Sequence, residues 1–394
     1  MLLFYFIDEL LGTQGVKYIS TEESGDELTV KVEMPRSEHI CPCCGTLTDQ
    51  IHDYRNRTVN AGTLNHKHVT IIYRRRRYVC PECGKRFPEE NGFVGRYQRM
   101  TKAVIANIIN SLVDMVSFKH VATENRISTQ TVMRTFSPVK FPRPKHLPEA
   151  LGIDEFRGNA NRVKYQLILT DLTSGKPIDI LPNRYESTIT RYFMQYSREE
   201  RDKVKVFVSD MFREYDRIGK ELFHNAIRVA DPFHYTRLII WAQENIRKRE
   251  QKRLGKARQK YFKRSKNLLT KRFNELSPDN QQAVLRMLEL SSDLSTAHYY
   301  KERLLGIRDI EDTDEMIKRL HEITDSMKYS GIYELEKCAD SYYNWFPNIV
   351  NSLKCNYSNG FTEGCNNKIK VLKRIAFGFR NYDNFRSRIL HSFS

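Results

Sequence analysis

Acidic residues are scarce in this sequence relative to basic ones. The 394 residues include 48 Asp or Glu against 65 Lys or Arg, which leaves a formal net charge of +17 and a pI near 9.4. A small acidic substrate alone does not require such an excess, so we expect a polyanionic partner, with nucleic acid ahead of a membrane surface. The hydrophobic content of 40% can build a core, which excludes a disordered basic tail protein.

Long hydrophobic runs, internal repeats and low-complexity tracts are also missing. Residues 1–7 are apolar, but they lack a basic leader segment and are followed at once by Asp8 and Glu9. This pattern predicts neither a signal peptide nor a membrane span, so we expect no secretion, no membrane partner and a cytoplasmic location. The length predicts two to three domains of about 150 residues each.

Five of the eight cysteines lie between positions 41 and 83, which is typical of metal ligands rather than of a disulfide framework. Two C-x-x-C pairs, each followed by glycine, can present four thiolates to one tetrahedral zinc ion. The predicted ligands are Cys41, Cys44, Cys80 and Cys83. Competing ligands are Cys43, His66 and His68, and the simplest arrangement excludes them.

A β-branched and aromatic segment, residues 68–79, predicts a strand that leads into the second cysteine pair. It carries four consecutive guanidinium groups that can contact DNA phosphates. These residues are Arg74, Arg75, Arg76 and Arg77. A solvated charged strand without a ligand is the alternative interpretation.

Residues 117–136 predict a helix-turn-helix. Val121 and Ala122 can pack on Val132 across a short turn, and Ser128 can cap the second helix. The exposed face of that helix then offers three side chains suited to base edges or phosphates, namely Gln130, Thr131 and Arg134. A plain helical hairpin would give the same pattern, and the flanking basic residues favour DNA binding.

Four prolines between positions 138 and 148 predict an extended linker. Beyond it, the apolar segments and helical periods follow the order βββαβαβ and are succeeded by a long all-helical region. We expect a zinc-binding module (1–95), a helix-turn-helix with linker (96–148) and a catalytic core in two parts (149–240 and 351–394). A helical insertion (241–350) separates the two parts, and its basic residues 248–271 are expected to bind backbone phosphates.

Acidic residues in two predicted strands carry the chemistry of this core. Asp154 lies centrally in the first strand and Asp210 ends the fourth, and an aspartate in such a strand is costly unless paired or bound to metal. In neighbouring strands the two carboxylates converge, and a divalent cation relieves their repulsion. Glu363, which begins the last long helix, can complete a site of the kind that drives phosphodiester chemistry with two metal ions. Each acid taken alone is also explained as a turn or cap residue.

These residues together resemble the DDE transposases of bacterial insertion sequences, in the family typified by the element called ISL-three. The resemblance runs from about Cys41 to Leu390. It rests on the cysteine pairs, the helix-turn-helix and the segments 152–156 (GIDEF), 208–211 (VSDM), 229–234 (VADPFH) and 362–370 (TEGCNNKIK). It implies an α/β fold, an RNase H-like catalytic core with an all-helical insertion, preceded by the zinc module and the helix-turn-helix.

The resemblance also implies the activity. A triad of Asp154, Asp210 and Glu363 would bind two Mg²⁺ ions, cut double-stranded DNA at the terminal inverted repeats and join the liberated 3′-hydroxyl to target DNA without a covalent enzyme intermediate. The zinc would be structural, and the protein would act as a homo-oligomer on DNA, in association with the bacterial nucleoid.

Further residues are expected to support this site. Asp231 and His234 match a D-x-x-H signature of several DDE groups, and Asn367 lies one turn after Glu363 on the same helix face. Basic residues of that helix are expected to hold backbone phosphates: Lys368, Lys370, Lys373 and Arg374. Asp231 competes with Glu363 for the third position, whereas Glu155 should point to the opposite face of its strand.

Two other functions stay open at this point. One is a zinc-dependent transcription regulator whose sheet domain has lost catalysis, although all three acids are present. The other is a nuclease or junction resolvase of the same fold, which would cut DNA without joining it.

Overall fold

The structure, a computed structural model, describes residues 13, 15–262 and 265–394. The apolar segment 1–7, discussed above as an excluded signal peptide, lies outside the described residues. The chain divides into two compact units. One contains the described residues up to Phe141 together with Val371–Ser394, and the other is Pro142–Lys370. The division falls in the predicted proline-rich linker, but the sequence did not indicate that the C-terminal segment groups with the first unit.

A mixed sheet forms the first half of the first unit. Its strands follow the order β1-β2-β6-β5, with β7 paired to β6, and only the β2–β6 pair is parallel. A separate hairpin is made by β3 and β4. In the mixed sheet, alternate residues such as Val32, Val69 and Ile71 point inward and form the core. The strands are β1 Lys17–Ser24, β2 Glu27–Glu33, β3 His39–Ile40, β4 Leu47–Thr48, β5 Ile51–Leu64, β6 Lys67–Val79 and β7 Arg86–Pro88.

Three short helices and the C-terminal helix form the second half of this unit. They are α1 Lys102–Ser111, α2 Phe118–Glu124, α3 Thr129–Phe136 and α16 Tyr382–His391. Ser117 and Ser128 cap α2 and α3 by accepting backbone N–H bonds, and Val121, Ala122 and Val132 pack together as predicted. The predicted helix-turn-helix is therefore confirmed as a structural element.

Arg388 of α16 joins the C-terminal helix to the end of α1. Its side chain is only 1% exposed and donates hydrogen bonds to the carbonyl oxygens of Leu112, Asp114 and Val116. The last carbonyls of a helix have no partner within the helix, and a cation there also interacts favourably with the helix dipole. Burial lowers the pKa of Arg388 to about 10, so the side chain stays protonated at neutral pH.

The sheet of the second unit has five strands in the order β10-β9-β8-β11-β12. The pairs β10–β9 and β9–β8 are antiparallel, whereas β8–β11 and β11–β12 are parallel. The elements are β8 Ala150–Phe156, β9 Gln166–Asp171, β10 Lys176–Leu181, α4 Glu186–Phe193, α5 Arg198–Arg201, β11 Val206–Ser209, α6 Arg213–Leu222 and β12 Ile227–Ala230. The predicted order βββαβαβ is present, with one additional short helix, and the RNase H-like core is confirmed.

A helical layer follows, beginning with α7 Pro232–Arg253 and continuing to α14. Its other helices are α8 Lys256–Gln259, α9 Ser265–Thr270, α10 Pro278–Glu289, α11 Ser292–Leu305, α12 Thr313–Lys328, α13 Tyr333–Asn344 and α14 Phe346–Lys354. All of these helices except α8 contribute to one apolar core, which includes Ile246, Leu294 and Leu335. The last long helix, α15 Gly360–Ile375, then returns the chain to the sheet. None of the helices in the described ranges is long and apolar enough to cross a bilayer.

The basic segment 248–271 was expected to bind backbone phosphates, and for Arg249 this expectation is wrong. Its guanidinium contacts Glu334 at 2.7 Å, Asp293 at 2.5 Å and Glu250 at 3.0 Å. This arginine links α7 to α11 and α13, so it does not present a charge to DNA phosphates.

We predict that Arg388→Met destabilises the first unit by about 2–5 kcal/mol, because a buried guanidinium is lost and the carbonyl oxygens of Leu112 and Val116 lose their donor. Calorimetric unfolding of the full chain measures the effect. The exposed Arg380 provides the control variant Arg380→Ala, which should unfold like the wild type. Equal stability of both variants would show that the contacts of Arg388 contribute nothing.

Candidate active site and zinc site

Four cysteine sulfur atoms form a compact cluster in the first unit. Within the described residues, this is the one group of three or more His, Cys, Asp or Glu ligand atoms that all lie within 4.8 Å of one another. Its members are Cys41, Cys44, Cys80 and Cys83. The sulfur atoms are 3.6 Å apart for Cys41 and Cys83 and 3.4 Å apart for Cys44 and Cys80. Tetrahedral zinc with bonds of about 2.3 Å holds sulfur atoms at about 3.8 Å, so the cluster fits one ion.

The glycine after each cysteine pair shapes the two turns that present the thiolates. Gly45 donates its N–H to the carbonyl of Cys41, and Gly84 donates to that of Cys80, each at 3.0 Å. Both glycines have positive φ, +78° and +70°, a conformation that residues with a Cβ rarely adopt. The two turns are therefore equivalent, and the glycines seen in the sequence are required by their backbone geometry.

The competing ligands lie outside the cluster. His66 is in the β5–β6 hairpin turn with φ +66°, His68 lies on β6, and Cys43 is exposed. The simplest ligand set from the sequence is the one that the structure assembles.

The four consecutive arginines of β6 have different environments, which corrects the prediction for Arg76. Its guanidinium is buried and lies 3.3 Å from the buried Glu89 carboxylate and 3.4 Å from Glu33. An arginine held in this way does not reach DNA. Arg75 donates to the carbonyl of Glu89, and Arg77 pairs with Asp53. Arg74 is exposed, and its guanidinium lies 4.0 Å from the ring centroid of Tyr54.

The second helix of the helix-turn-helix exposes the predicted residues. Gln130 and Arg134 of α3 are exposed, and Thr131 is partly exposed with its hydroxyl 2.9 Å from Ser128 Oγ.

In the second unit, strand register places three aspartates at one level of the sheet. Val208 of β11 pairs with Gly152 of β8, and Ser209 pairs with Ala230 of β12. Asp210 comes two residues after Val208 and Asp154 comes two residues after Gly152, so these two aspartates are in register. Asp210 also follows Ser209 and Asp231 follows Ala230, so this second pair of aspartates is in register too. Residues in register on adjacent strands share a face, so the three aspartates lie on one side of the sheet. Asp154 lies within β8, whereas Asp210 and Asp231 directly follow the carboxyl ends of β11 and β12.

The start of α15 packs on that same face. Asn359, just before the helix, donates from its side chain to the carbonyl of Ile153 at 2.9 Å, and Thr362 Oγ1 lies 2.7 Å from Thr170 Oγ1. A Cβ at Gly152 would lie 2.8 Å from Asn359 Oδ1 and 2.6 Å from Thr170 Oγ1. Glycine at position 152 therefore permits this close approach.

Asp154 is held by the helix. Its Oδ2 accepts a 2.8 Å hydrogen bond from Asn366 Nδ2, and its Oδ1 accepts one from the backbone N–H of Glu155 at 2.7 Å. The structure thus brings Asn366 against Asp154, whereas Asn367, the residue chosen from the sequence, is exposed and bonded to Lys370. Residues three and four positions apart both lie on one helix face, so the sequence indicated Asn366 as well as Asn367 as a neighbour of Glu363.

Asp210 has a strongly raised pKa. Burial and the charges of Asp154 and Glu155 raise its pKa to about 7, and its Oδ1 is buried without a hydrogen-bond partner. Burial, with the charges of Glu155 and Asp231, likewise raises the pKa of Asp154 to about 6. A bound cation relieves the cost of burying neighbouring like charges of this kind.

Asp231, His234 and Glu363 form the other side of the site. Asp231 Oδ1 accepts the backbone N–H of Asn359 at 3.3 Å, and its Oδ2 lies 3.9 Å from His234 Nε2. Burial raises the pKa of Asp231 and lowers that of His234, and the charge of Glu363 acts on both groups. Glu363 itself is exposed in the first turn of α15.

Glu155 points away from the aspartates, as expected from strand alternation. Its carboxylate accepts from Arg184 at 2.6 Å and from the hydroxyl of Tyr215 at 3.3 Å. Tyr215 belongs to the apolar core on the opposite face of the sheet. The sequence did not single out Arg184 or Tyr215, since neither belongs to a recognisable motif.

The donor set suits a hard divalent cation such as Mg²⁺, which prefers carboxylate and amide oxygens. Two buried oxygens lack a hydrogen-bond partner here, Asp210 Oδ1 and Asn366 Oδ1, and both belong to residues on the face that carries Asp154. Among the described residues, three or more ligand atoms lie within 4.8 Å of one another only in the cysteine cluster, so the carboxylates are spaced more widely than the thiols.

The four basic residues predicted beside the active site all lie on α15. Lys370 and Arg374 are exposed, and Lys368 and Lys373 are partly exposed.

Comparison with known protein families identifies three consecutive segments. Residues 37–83 match the zinc-finger of the transposases of IS204, IS1001, IS1096 and IS1165. Residues 89–139 match the helix-turn-helix domain of transposase family ISL3. Residues 151–389 match the DDE-type transposase family ISL3 itself.

Two curated proteins are similar to the chain. The transposase for insertion sequence element IS1001 of Bordetella parapertussis is 24% identical over 383 residues, which is 94% of this chain and 93% of that protein. A Lactococcus lactis subsp. lactis protein described as an ATP-dependent protease is 50% identical over 50 residues, only 13% of this chain and 16% of its own length.

The matches to a DDE transposase family over residues 151–389 and to the IS1001 transposase identify a DNA-cleaving and strand-transferring enzyme. The chain belongs to the ISL3 family of transposases. The family resemblance seen in the sequence is confirmed, together with DNA as the partner, zinc as a structural ion and a divalent ion, typically Mg²⁺, as the catalytic cofactor. This result favours a transposase over the regulator and the nuclease.

We predict one zinc ion per chain, and loss of both the ion and the fold of the zinc module in Cys80→Ser, because so short a segment takes much of its folding free energy from the metal. Metal analysis and circular dichroism measure the two effects. Cys43→Ser changes a neighbouring cysteine outside the cluster and should keep the zinc. A chain free of zinc, or a Cys80→Ser protein with full zinc content, would contradict the assignment.

We also predict that Asp210→Asn stabilises the second unit when no divalent ion is present. The folded-state pKa of Asp210, about 7, exceeds the unfolded value of about 3.9, so this group's contribution to stability is lost as the pH rises from about 4 to about 7. The gain should reach about 2–4 kcal/mol at pH 8 and be smaller at pH 5.

Urea unfolding at the two pH values checks this prediction. The control is Asp279→Asn, which removes an exposed carboxylate on α10 and should change stability little at either pH. A gain for Asp210→Asn that is independent of pH would show that the carboxylate is not destabilised by its surroundings.

Proposed function

We propose that Asp154, Asp210 and Glu363 are the catalytic residues of this transposase and hold its divalent ions. The observation that carries this proposal is the register of β8 and β11, which brings Asp154 and Asp210 to one face with raised pKa values and an unpartnered Asp210 oxygen. Glu363 is supported by its position in the helix that packs on that face through Thr362 and Asn366.

When bound, divalent ions polarise the scissile phosphate and generate a nucleophile at neutral pH. The chain's own residues prepare the site for this step. Asn366 fixes one oxygen of Asp154 by donating to it, and Asn359 fixes one oxygen of Asp231. His234, whose pKa is lowered by burial, is neutral at pH 7 and can accept a proton beside Asp231. We therefore assign Asp231 and His234 a supporting role.

DNA recognition is assigned to the first unit. We propose that α3 reads the terminal inverted repeats through Gln130, Thr131 and Arg134, and that Arg74 contacts the backbone. Lys368, Lys370, Lys373 and Arg374 would hold phosphates near the cut, since they lie on α15, which carries Glu363 in its first turn. We further propose that the protein acts in the nucleoid as a homo-oligomer, because joining both ends of an element to one target requires two sites.

We predict that Glu363→Gln abolishes both cleavage and strand transfer as completely as Asp210→Asn, while both variants bind the element's ends like the wild type. Loss of a metal-binding carboxylate removes the chemistry but leaves phosphate contacts intact. Asp231→Asn should keep measurable activity. The assay incubates the protein with Mg²⁺ and double-stranded DNA that carries the ends of its own element.

The exposed Glu311 provides a matched control, Glu311→Gln, which should leave cleavage and joining unchanged. Normal strand transfer by the Glu363 variant, with a dead Asp231 variant, would move the third catalytic position to Asp231. Cleavage without joined products in the wild type would instead indicate a nuclease.

A further inference from the structure

An aromatic and arginine ladder follows the active-site residues along the first half of α7. Phe233, Arg237 and Trp241 are spaced four residues apart, so their side chains lie on one helix face. The guanidinium of Arg237 lies 4.2 Å from the ring centroid of Trp241 and 5.7 Å from that of Phe233. Phe233 is 50% exposed and Trp241 is 49% exposed, whereas Tyr235 on the same helix is buried. Core packing therefore does not account for the two exposed rings.

The ladder lines a groove of about 800 Å³ in the second unit. Lys266 and Lys248 also line it. Its one lining carboxylate, Glu244, is paired with Arg247 at 2.6 Å and with Lys248 at 3.5 Å. In the described part of the chain no carboxylate forms an ion pair with Arg237. A groove that combines exposed rings with cations is complementary to a nucleic-acid strand, whose bases stack on rings and whose phosphates pair with Arg and Lys.

The groove begins at the active site. Phe233 lies between Asp231 and His234 in the sequence, and the charge of Arg237 acts on His234. Bases next to a scissile phosphate can be unpaired, and only an unpaired base offers an open face to a ring. A paired base in an intact duplex is already covered by its neighbours. The chemistry therefore favours a single strand over a duplex.

We propose that Phe233, Arg237 and Trp241 form a stacking site for unpaired nucleotides of the DNA strand next to the scissile phosphate. Positions 233 and 241 are about 12 Å apart along the helix axis, so the two rings stack different bases, with Arg237 on a phosphate between them. The location of the scissile phosphate rests on the proposed catalytic residues. The strand-binding property itself does not depend on them.

The test measures binding of the full chain, without added divalent ion, to labelled oligo(dT) and to a duplex of equal length by fluorescence anisotropy. Trp241→Ala and Phe233→Ala should each weaken binding to oligo(dT) about five- to a hundredfold, the usual effect of losing one stacked base. Binding to the duplex should change less than twofold. Trp241→Phe retains a ring and should recover most of the affinity.

Tyr299 provides a matched control, because Arg303 lies over its exposed ring at 5.4 Å on another helix and neither residue lines the groove. Tyr299→Ala should leave both affinities unchanged. The chain has two tryptophans, so in Trp345→Phe the remaining indole is Trp241, and oligo(dT) should quench its fluorescence.

Three results would overturn the proposal. Unchanged oligo(dT) binding by both alanine variants would exclude stacking. An equal loss for oligo(dT) and duplex would indicate a simple phosphate clamp. A loss of self-association in sedimentation, with oligo(dT) binding intact, would show that the ladder contacts a second copy of the chain. Because no cleavage is measured, failure of the catalytic assignment leaves this test unaffected, and the converse also holds.

Discussion

The burial of neighbouring carboxylates is the constraint on which the second unit depends. The parallel pairs of β8, β11 and β12 bring Asp154, Asp210 and Asp231 to one level, where burial raises the pKa of each. The start of α15 covers this face through hydrogen bonds from Asn359 and Asn366. Carboxylates buried in this way lower the stability of the folded state at neutral pH, and perturbed groups of this kind are concentrated at functional sites.

Much of this architecture is predictable because it is encoded locally. The strand order follows from short apolar runs, the zinc site from two cysteine pairs with glycines, and the helix-turn-helix from its caps and apolar spacing. The predictions that were wrong concern residues whose contacts join distant parts of the chain. Arg76 looked like a phosphate ligand because its partners Glu33 and Glu89 are remote in sequence. Asn367 was chosen from the sequence instead of Asn366. Neighbouring helix positions point about 100° apart, so a shift of one residue decides which side chain contacts Asp154.

The excess of basic residues has two different uses. Some form internal ion pairs or caps, such as Arg249 between helices and Arg388 at the end of α1. Others are exposed on elements assigned to DNA, such as Arg134 on α3 and Lys370 on α15. Net charge correctly indicated a nucleic-acid partner, but it did not indicate which side chains face that partner. Burial and pairing decide this, residue by residue.

The most direct test of the account is a crystal structure of the protein with Mn²⁺, located by its anomalous scattering. We expect manganese within about 2–2.5 Å of carboxylate oxygens of both Asp154 and Asp210, with Glu363 joining the site directly or when DNA is bound. Manganese bound by Asp231 and His234, with Asp154 and Asp210 free of metal, would contradict the assignment of the catalytic centre.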